Sequence, residues 1–194
     1  MANHVNTYIR VITNHAGTQV MRELKKKLGR DPSGDYEKHL GYAFAEDIDD
    51  IYGRMIDLTS AKWAYVTEID DDSIAIYSAW NYVERFCEHL ASEIGAADPN
   101  VILYVNYEDE MPNFVGVSAF NKFGLDEIWE LDHEQIDQYI RDNDSEIAAE
   151  YDEENCEYSN LGREYLSESM WDHISNWQHE AFKEIAGDDY LDKL

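Results

Sequence analysis

The sequence predicts an α+β fold, an antiparallel sheet with helices packed on it, and three observations carry this. The first is residues 101–120, VILYVNYEDEMPNFVGVSAF, where Val101, Leu103, Val105 and Tyr107 alternate with Ile102, Tyr104, Asn106 and Glu108. The second is a similar alternation over residues 61–80. The third is helical spacing of apolar residues between and after these two hairpins.

In order, residues 5–13 alternate as a first strand, with Val5, Ile9 and Val11 on one face. After a turn at Asn14–Gly17, the residues Val20, Met21, Leu24 and Leu28 recur at helical spacing until Gly29 stops the helix. Lys25, Lys26 and Lys27 fall in its last turn, where positive charge suits the helix dipole. Asp31-Pro32-Ser33-Gly34 marks a loop, and Phe44, Ile48, Ile51, Tyr52 and Met55 then share one face of an amphipathic helix. In the hairpin at 61–80, Trp63, Tyr65, Thr67 and Ile69 lead to Asp70-Asp71-Asp72-Ser73, and Ile74, Ile76, Ser78 and Trp80 lead away. The triple aspartate lacks the Gly and distal Glu of an EF-hand, so a polar hairpin tip is expected.

Asn81 with Glu84 outlines a capping box for a helix bearing Val83, Phe86, Cys87, Leu90 and Ile94, which ends near Gly95. In the hairpin at 101–120, Glu108-Asp109-Glu110 with Pro112 and Asn113 is the expected turn. Gly116 in its second strand marks a bulge or a close backbone approach. In LDEIWELD (125–132), Leu125, Ile128 and Trp129 fit a strand or a loop, and a short edge strand is the expectation. Asp132 with Gln135 outlines a second capping box, and Ile136, Tyr139, Ile140 and Ile147 mark one helix after it. Residues 150–157 are nearly all acid and read as a loop or a fraying helix end. A final helix from about Gly162 to Ala186 carries Leu166, Met170, Ile174, Trp177, Ala181 and Ile185 on its buried side.

The order strand, helix, extra helix, strand, strand, helix, strand, strand is the split βαβ pattern of a ferredoxin-like domain with an inserted helix and an added strand. The expected division is a ferredoxin-like α+β domain over 1–130 and an acidic helical extension, packed on it, over 131–194.

Charge narrows the function. The formal net charge is −27 over 194 residues, which disfavours phosphate backbones and anionic membranes as partners and favours basic proteins. Residues 1–30 nonetheless carry six bases, Arg10, Arg22, Lys25, Lys26, Lys27 and Arg30, against Glu23 alone. The rest of the chain therefore holds −32, so the basic helix could pack beside an acidic surface, although a solvated helix face is the expected reading. From Asp126 to the C-terminus 22 acids face four bases, a net of −18. Acids three or four residues apart on a helix sit about 5–6 Å apart, close enough to imitate a line of phosphates. Cys87 falls on an apolar helix face and Cys156 in another segment, without metal-type spacing. No signal peptide or membrane span is read, and a reducing cytoplasm is the expected compartment.

The chain also resembles a largely uncharacterised family of phage and bacterial mobile-element proteins with a ferredoxin-like domain. The residues that carry the likeness are Val5–Thr13, Trp63 with Trp80, Tyr107-Glu108-Asp109-Glu110 and Phe114-Val115-Gly116, so it spans residues 1–120. Relatives carry a Gly near the first tryptophan, where this chain has Ser60-Ala61-Lys62-Trp63. The resemblance implies a phage or mobile-element origin and leaves the chemistry open.

No nucleophile–base pair, HExxH motif, zinc-type spacing or phosphate-cradling glycine loop stands out. No catalytic residue, cofactor or metal ligand is therefore assigned, and a binding protein is expected ahead of an enzyme. The expected activity is to bind and inhibit or redirect a basic or nucleic-acid-binding host protein, as counter-defence or takeover, with DNA mimicry as one form. Candidate binding residues are Glu108, Asp109, Glu110, Asp152, Glu153, Glu154 and Glu157. No direct nucleic-acid or membrane contact is expected, and the charge favours a monomer. The alternative is an enzyme or small-ligand protein with a pocket between sheet and C-terminal helices, near Tyr104, Trp129 and Trp177.

Overall fold

Alternation along β1 (His4–Ile12) buries Val5, Ile9 and Val11 against two helices. The computed structural model describes residues 3–29, 38–43 and 55–187. The expected loop at Asp31–Gly34 and the amphipathic helix from Phe44 lie outside them, except for its last residue, Met55. The first helix, α1 (His15–Leu28), starts earlier than expected, because Asn14 caps it by accepting from the Ala16 and Gly17 N–H groups. A short strand β2 (Lys38–His39) leads into a 3-10 turn at Leu40–Ala43, and α2 (Met55–Thr59) precedes the first hairpin.

That hairpin is β3 (Ala64–Ile69) with β4 (Ser73–Ala79), followed by α3 (Glu84–Ala97). The expected Asn81–Glu84 capping box is not formed. Val83 holds the cap position without a side-chain bond, and Asn81 Oδ1 accepts from the adjacent Tyr82 N–H at 3.0 Å. Tyr82 and Val83 are buried, so core packing draws the chain in before the helix can begin at Asn81.

The second hairpin is β5 (Ile102–Asp109) with β6 (Phe114–Asn121), and β7 (Gly124–Asp132) returns along β6 as a nine-residue strand. All neighbours are antiparallel, in the order β2-β3-β4-β1-β5-β6-β7. Helices α1 and α3 cover one face, where Ile9, Met21, Leu24, Phe86, Leu90, Ile94, Leu103 and Val105 form the main core.

Asp132 ends β7 and caps α4 (His133–Asn143) with the expected reciprocal bonds to Gln135. The single helix expected through Ile147 is broken. Asp144 leaves the helical conformation and accepts from the Glu146 and Ile147 N–H groups, opening a separate α5 (Ser145–Ala149). Nor is the acidic tract a frayed end: β8 (Tyr151–Asp152) and β9 (Glu157–Tyr158) close a small hairpin before α6 (Asn160–Ala186). Ile136, Ile140, Ile147, Ile174, Trp177 and Ala181 pack on Val115 and Val117 of β6, forming a second core on the other face of the sheet. At about 1.5–3 kcal/mol for each large apolar side chain buried, this contact docks the acidic helices firmly.

Candidate functional site

Among the described residues, Arg10, Arg22, Lys25, Lys26 and Lys27 of the N-terminal segment all meet partners within the chain. Arg22 meets Asp71 through two nitrogens, with Nη2 to Oδ2 at 2.5 Å, and Arg10 meets Asp72 at 3.1 Å. Lys25 donates to the Ile69 carbonyl at 2.8 Å and lies 4.0 Å from Asp70. All three aspartates of the first hairpin tip thus face cations of β1 and α1. Lys26 pairs with Glu23 and Lys27 lies 4.0 Å from Glu93. Such exposed pairs contribute only about 0–1 kcal/mol each, but they neutralise this end of the molecule.

The C-terminal unit has no such balance. Between Asp126 and Glu184 there are 19 acids and three bases, Arg141, Arg163 and Lys183. Arg141 pairs with Asp137 and lies 4.0 Å over the Tyr151 ring, and Arg163 reaches Glu157 at 3.6 Å. Glu153, Glu154, Glu164, Glu168 and Asp172 all face solvent.

The candidate acids named from sequence do not form one site. Strand geometry runs through Asp109, so consecutive side chains point to opposite faces, and the expected hydrated turn at 108–110 is not what forms. Glu108 lies on the face of the sheet that meets α6, where Gln178 Nε2 donates to it at 3.3 Å and partial burial pushes its carboxyl above the usual range. Asp109 is fully buried and accepts from Asn113 N at 2.8 Å, Asn113 Nδ2 at 2.6 Å and Asn3 Nδ2 at 3.2 Å. It holds the hairpin closed and meets no solvent. Glu110 is exposed and 3.0 Å from His4 Nδ1.

In the acidic tract, Asp152 accepts from Glu154 N, Asn155 N and Asn155 Nδ2, which shapes the small hairpin and holds its carboxyl below the usual range. Glu153, Glu154 and Glu157 remain exposed at its tip and flank. Among the described residues, no group of three or more His, Cys, Asp or Glu side chains is arranged to hold a metal ion.

Besides a concavity at the β8–β9 hairpin, two lie between the helices of this unit and the sheet. One is an apolar cleft of about 230 Å³ between the β5–β6 turn and helices α4 and α6, lined by Met111, Ile136, Ile140, Leu166 and Met170. The other is an open groove of about 490 Å³ between β7 and the helices, with Trp129, Tyr139 and Trp177 beside Glu180 and Glu184. Two of the aromatics named from sequence therefore line a groove, whereas Tyr104 is buried against Phe182, with ring centroids 6.0 Å apart. Tyr139 donates to Glu180 at 3.1 Å, and burial with that bond pushes its phenol up to about 12.

The groove meets β7 at Trp129, and β7 is one of the two outer strands of the sheet among the described residues. Its side chains are mostly exposed, with Ile128 at 43% and Trp129 at 42%. The sequence reading missed Gln178, Glu180 and Glu184. The signal was present for Gln178, a polar residue inside the apolar stripe of α6 beside Trp177 and Ala181.

Among the described residues, no helix is long and apolar enough to cross a membrane. Comparison of the chain with protein-family models, curated proteins and solved structures finds no match.

Proposed function

We propose that this chain is an acidic binding protein, of the kind carried by phages and mobile elements, that engages a basic or nucleic-acid-binding host protein and inhibits or redirects it. The carrying observation is the partition of charge. Cations of β1 and α1 are neutralised by Asp70, Asp71, Asp72, Glu23 and Glu93, so among the described residues the surplus of acid is concentrated on the docked C-terminal helices and β7. A field of one sign over one surface steers a partner of the opposite sign. Held on a rigid second core, those acids have the fixed spacing that imitation of a phosphate line requires.

A ferredoxin-like core belongs to the same proposal. Its support is the order β3-β4-β1-β5 of the central strands, with α1 and α3 on one face, which is the arrangement a split βαβ repeat generates. Host cytoplasm as the compartment and a monomer as the working form complete it.

The test is capture from bacterial lysate on the immobilised chain at about 0.1 M and about 0.5 M salt, since screening shortens from about 10 Å toward a few Å over that range. A basic protein retained at the lower salt and lost at the higher supports the proposal. Retention of no basic protein at either salt sinks it. A second reading, a small-ligand protein, is favoured by one observation, the apolar cleft at Met111, Leu166 and Met170. Its signature is an apolar ligand co-purifying with the chain and lost in a Leu166→Glu variant.

A further inference from the structure

We infer that β7 is the docking edge, and that it takes an extended segment of the partner, rich in alternating basic and apolar residues, as an added antiparallel or parallel strand. This rests on the acidic-binder proposal and specifies how the partner is held.

Four features converge on it. First, β7 is nine residues long and, among the described residues, no strand lies outside it. β7 pairs only with β6 among the described residues, so its outward N–H and C=O groups form a template for another chain. Second, residues 124–132 contain no Lys, Arg or Pro, so the charge that guards this edge is all acidic, and the irregularity in its pairing with β6 is confined to its start, opposite Ala119 and Phe120.

Third, the edge is acidic and apolar by turns. Register places Glu127, Trp129 and Leu131 opposite Ala119, Val117 and Val115 on the helix side, with Ile128 and Glu130 on the other. Asp126 and Asp132 complete its charge. A second copy of the chain would set these acids against their own kind, which is unfavourable directly across strands. A basic strand meets them as opposite charges, so the same acids that reject self-pairing select the partner. Fourth, Trp129 opens onto the groove rimmed by Glu180, Lys183 and Glu184, two acids to one base. An aromatic face beside carboxylates suits a Lys or Arg side chain projecting from an added strand.

The test uses the full chain, isotopically labelled, and three synthetic peptides of about nine residues, matched to the length of β7. One alternates lysine and valine, one has the same sequence with alternate backbone nitrogens methylated, and one replaces lysine by glutamate. Binding is read by titration at low salt and location by amide hydrogen exchange. The expected result is that the lysine–valine peptide slows exchange of β7 amides, that N-methylation weakens it about tenfold or more by removing the pairing donors, and that the glutamate peptide does not bind. Trp129→Ala should weaken the lysine–valine peptide without unfolding the chain, since Trp129 is an exposed residue.

The inference is overturned if the lysine–valine peptide fails to bind, if it binds equally well when N-methylated, or if protection appears on α6 and not on β7. Lysate capture separates this from the broader proposal. A basic host protein captured without β7 protection removes strand docking alone, whereas no captured basic protein removes the acidic binder itself.

Discussion

Gly116→Ala tests how β7 is held. Tyr107, Gly116 and Glu130 lie in one row across β5, β6 and β7. The Tyr107 ring passes over Gly116, and its hydroxyl donates to Glu130 Oε2 at 2.7 Å. A Cβ on Gly116 would stand 2.2 Å from Tyr107 Cζ and 2.3 Å from its oxygen, against an ordinary contact of about 3.5–4 Å. The ring cannot simply step aside, because it is fully buried and stacked on Tyr82 at 4.0 Å and 5°. Overpacking costs about 1–3 kcal/mol, and loss of a hydrogen bond to a charged acceptor adds about 1.5–3 kcal/mol. Urea unfolding followed by tryptophan fluorescence should therefore show a destabilisation of about 2.5–6 kcal/mol. In a Tyr107→Leu background the clashing atoms are gone, and the same substitution should turn stabilising by about 0.5–1 kcal/mol, the backbone-entropy advantage of Ala over Gly in a strand. An equal cost in both backgrounds would refute the reasoning.

Three further outcomes follow from the same geometry. Asp98→Ala removes the acceptor of Asn14 N at 2.7 Å and Thr13 Oγ1 at 2.8 Å, and should destabilise by about 1–3 kcal/mol through the donors left unpaired. These bonds, the Asn14 N–H first, depress the Asp98 carboxyl; its contribution is thus complete above about pH 4 and lost as pH falls through the depressed value, which unfolding at graded pH measures. Glu108 has the opposite sign, since burial raises its carboxyl and stability falls as pH rises through that window. Glu108→Gln should accordingly leave the chain as stable or more stable at pH 7, and a clear loss there would contradict the assignment. Finally, Cys87 is fully buried, with burial pushing its thiol up, while Cys156 is exposed; a disulfide-exchange reagent should titrate one thiol in the folded chain and two in denaturant.

The parts of the fold legible in the sequence are those where one local force decides. Strands β1, β5 and β6 and helices α1, α3 and α6 follow from apolar period, because each buries a continuous stripe. What escaped depends on partners distant in the chain. The acids at 108–110 read as a turn, yet the strand continues because Asp109 finds donors on Asn113 and on Asn3, 106 positions away. Ile136, Tyr139, Ile140 and Ile147 fit one helix by spacing, and only the competition of the Asp144 side chain for backbone donors divides it. At β7 neither periodicity dominates LDEIWELD, so pairing with β6 settles its state and its full length.

Net charge by itself says little about binding, since acids may sit anywhere on a soluble surface. Placement is the stronger argument, and it comes from which charges find partners. Asp70, Asp71 and Asp72 form the densest run of aspartate in the sequence, yet Lys25, Arg22 and Arg10 answer them. Asp126, Glu127, Glu130 and Asp132 are sparser, and Glu127, Glu130 and Asp132 accept from Trp129, Tyr107 and Gln135, uncharged donors rather than cations; they lie along the outer backbone edge with Ile128 and Trp129 exposed between them. Had those acids served only to keep the edge soluble, exposed large apolar residues beside them would work against the purpose. Acid that repels a second copy, combined with apolar surface that rewards burial, is the composition an edge needs to stay single alone and still accept a basic strand.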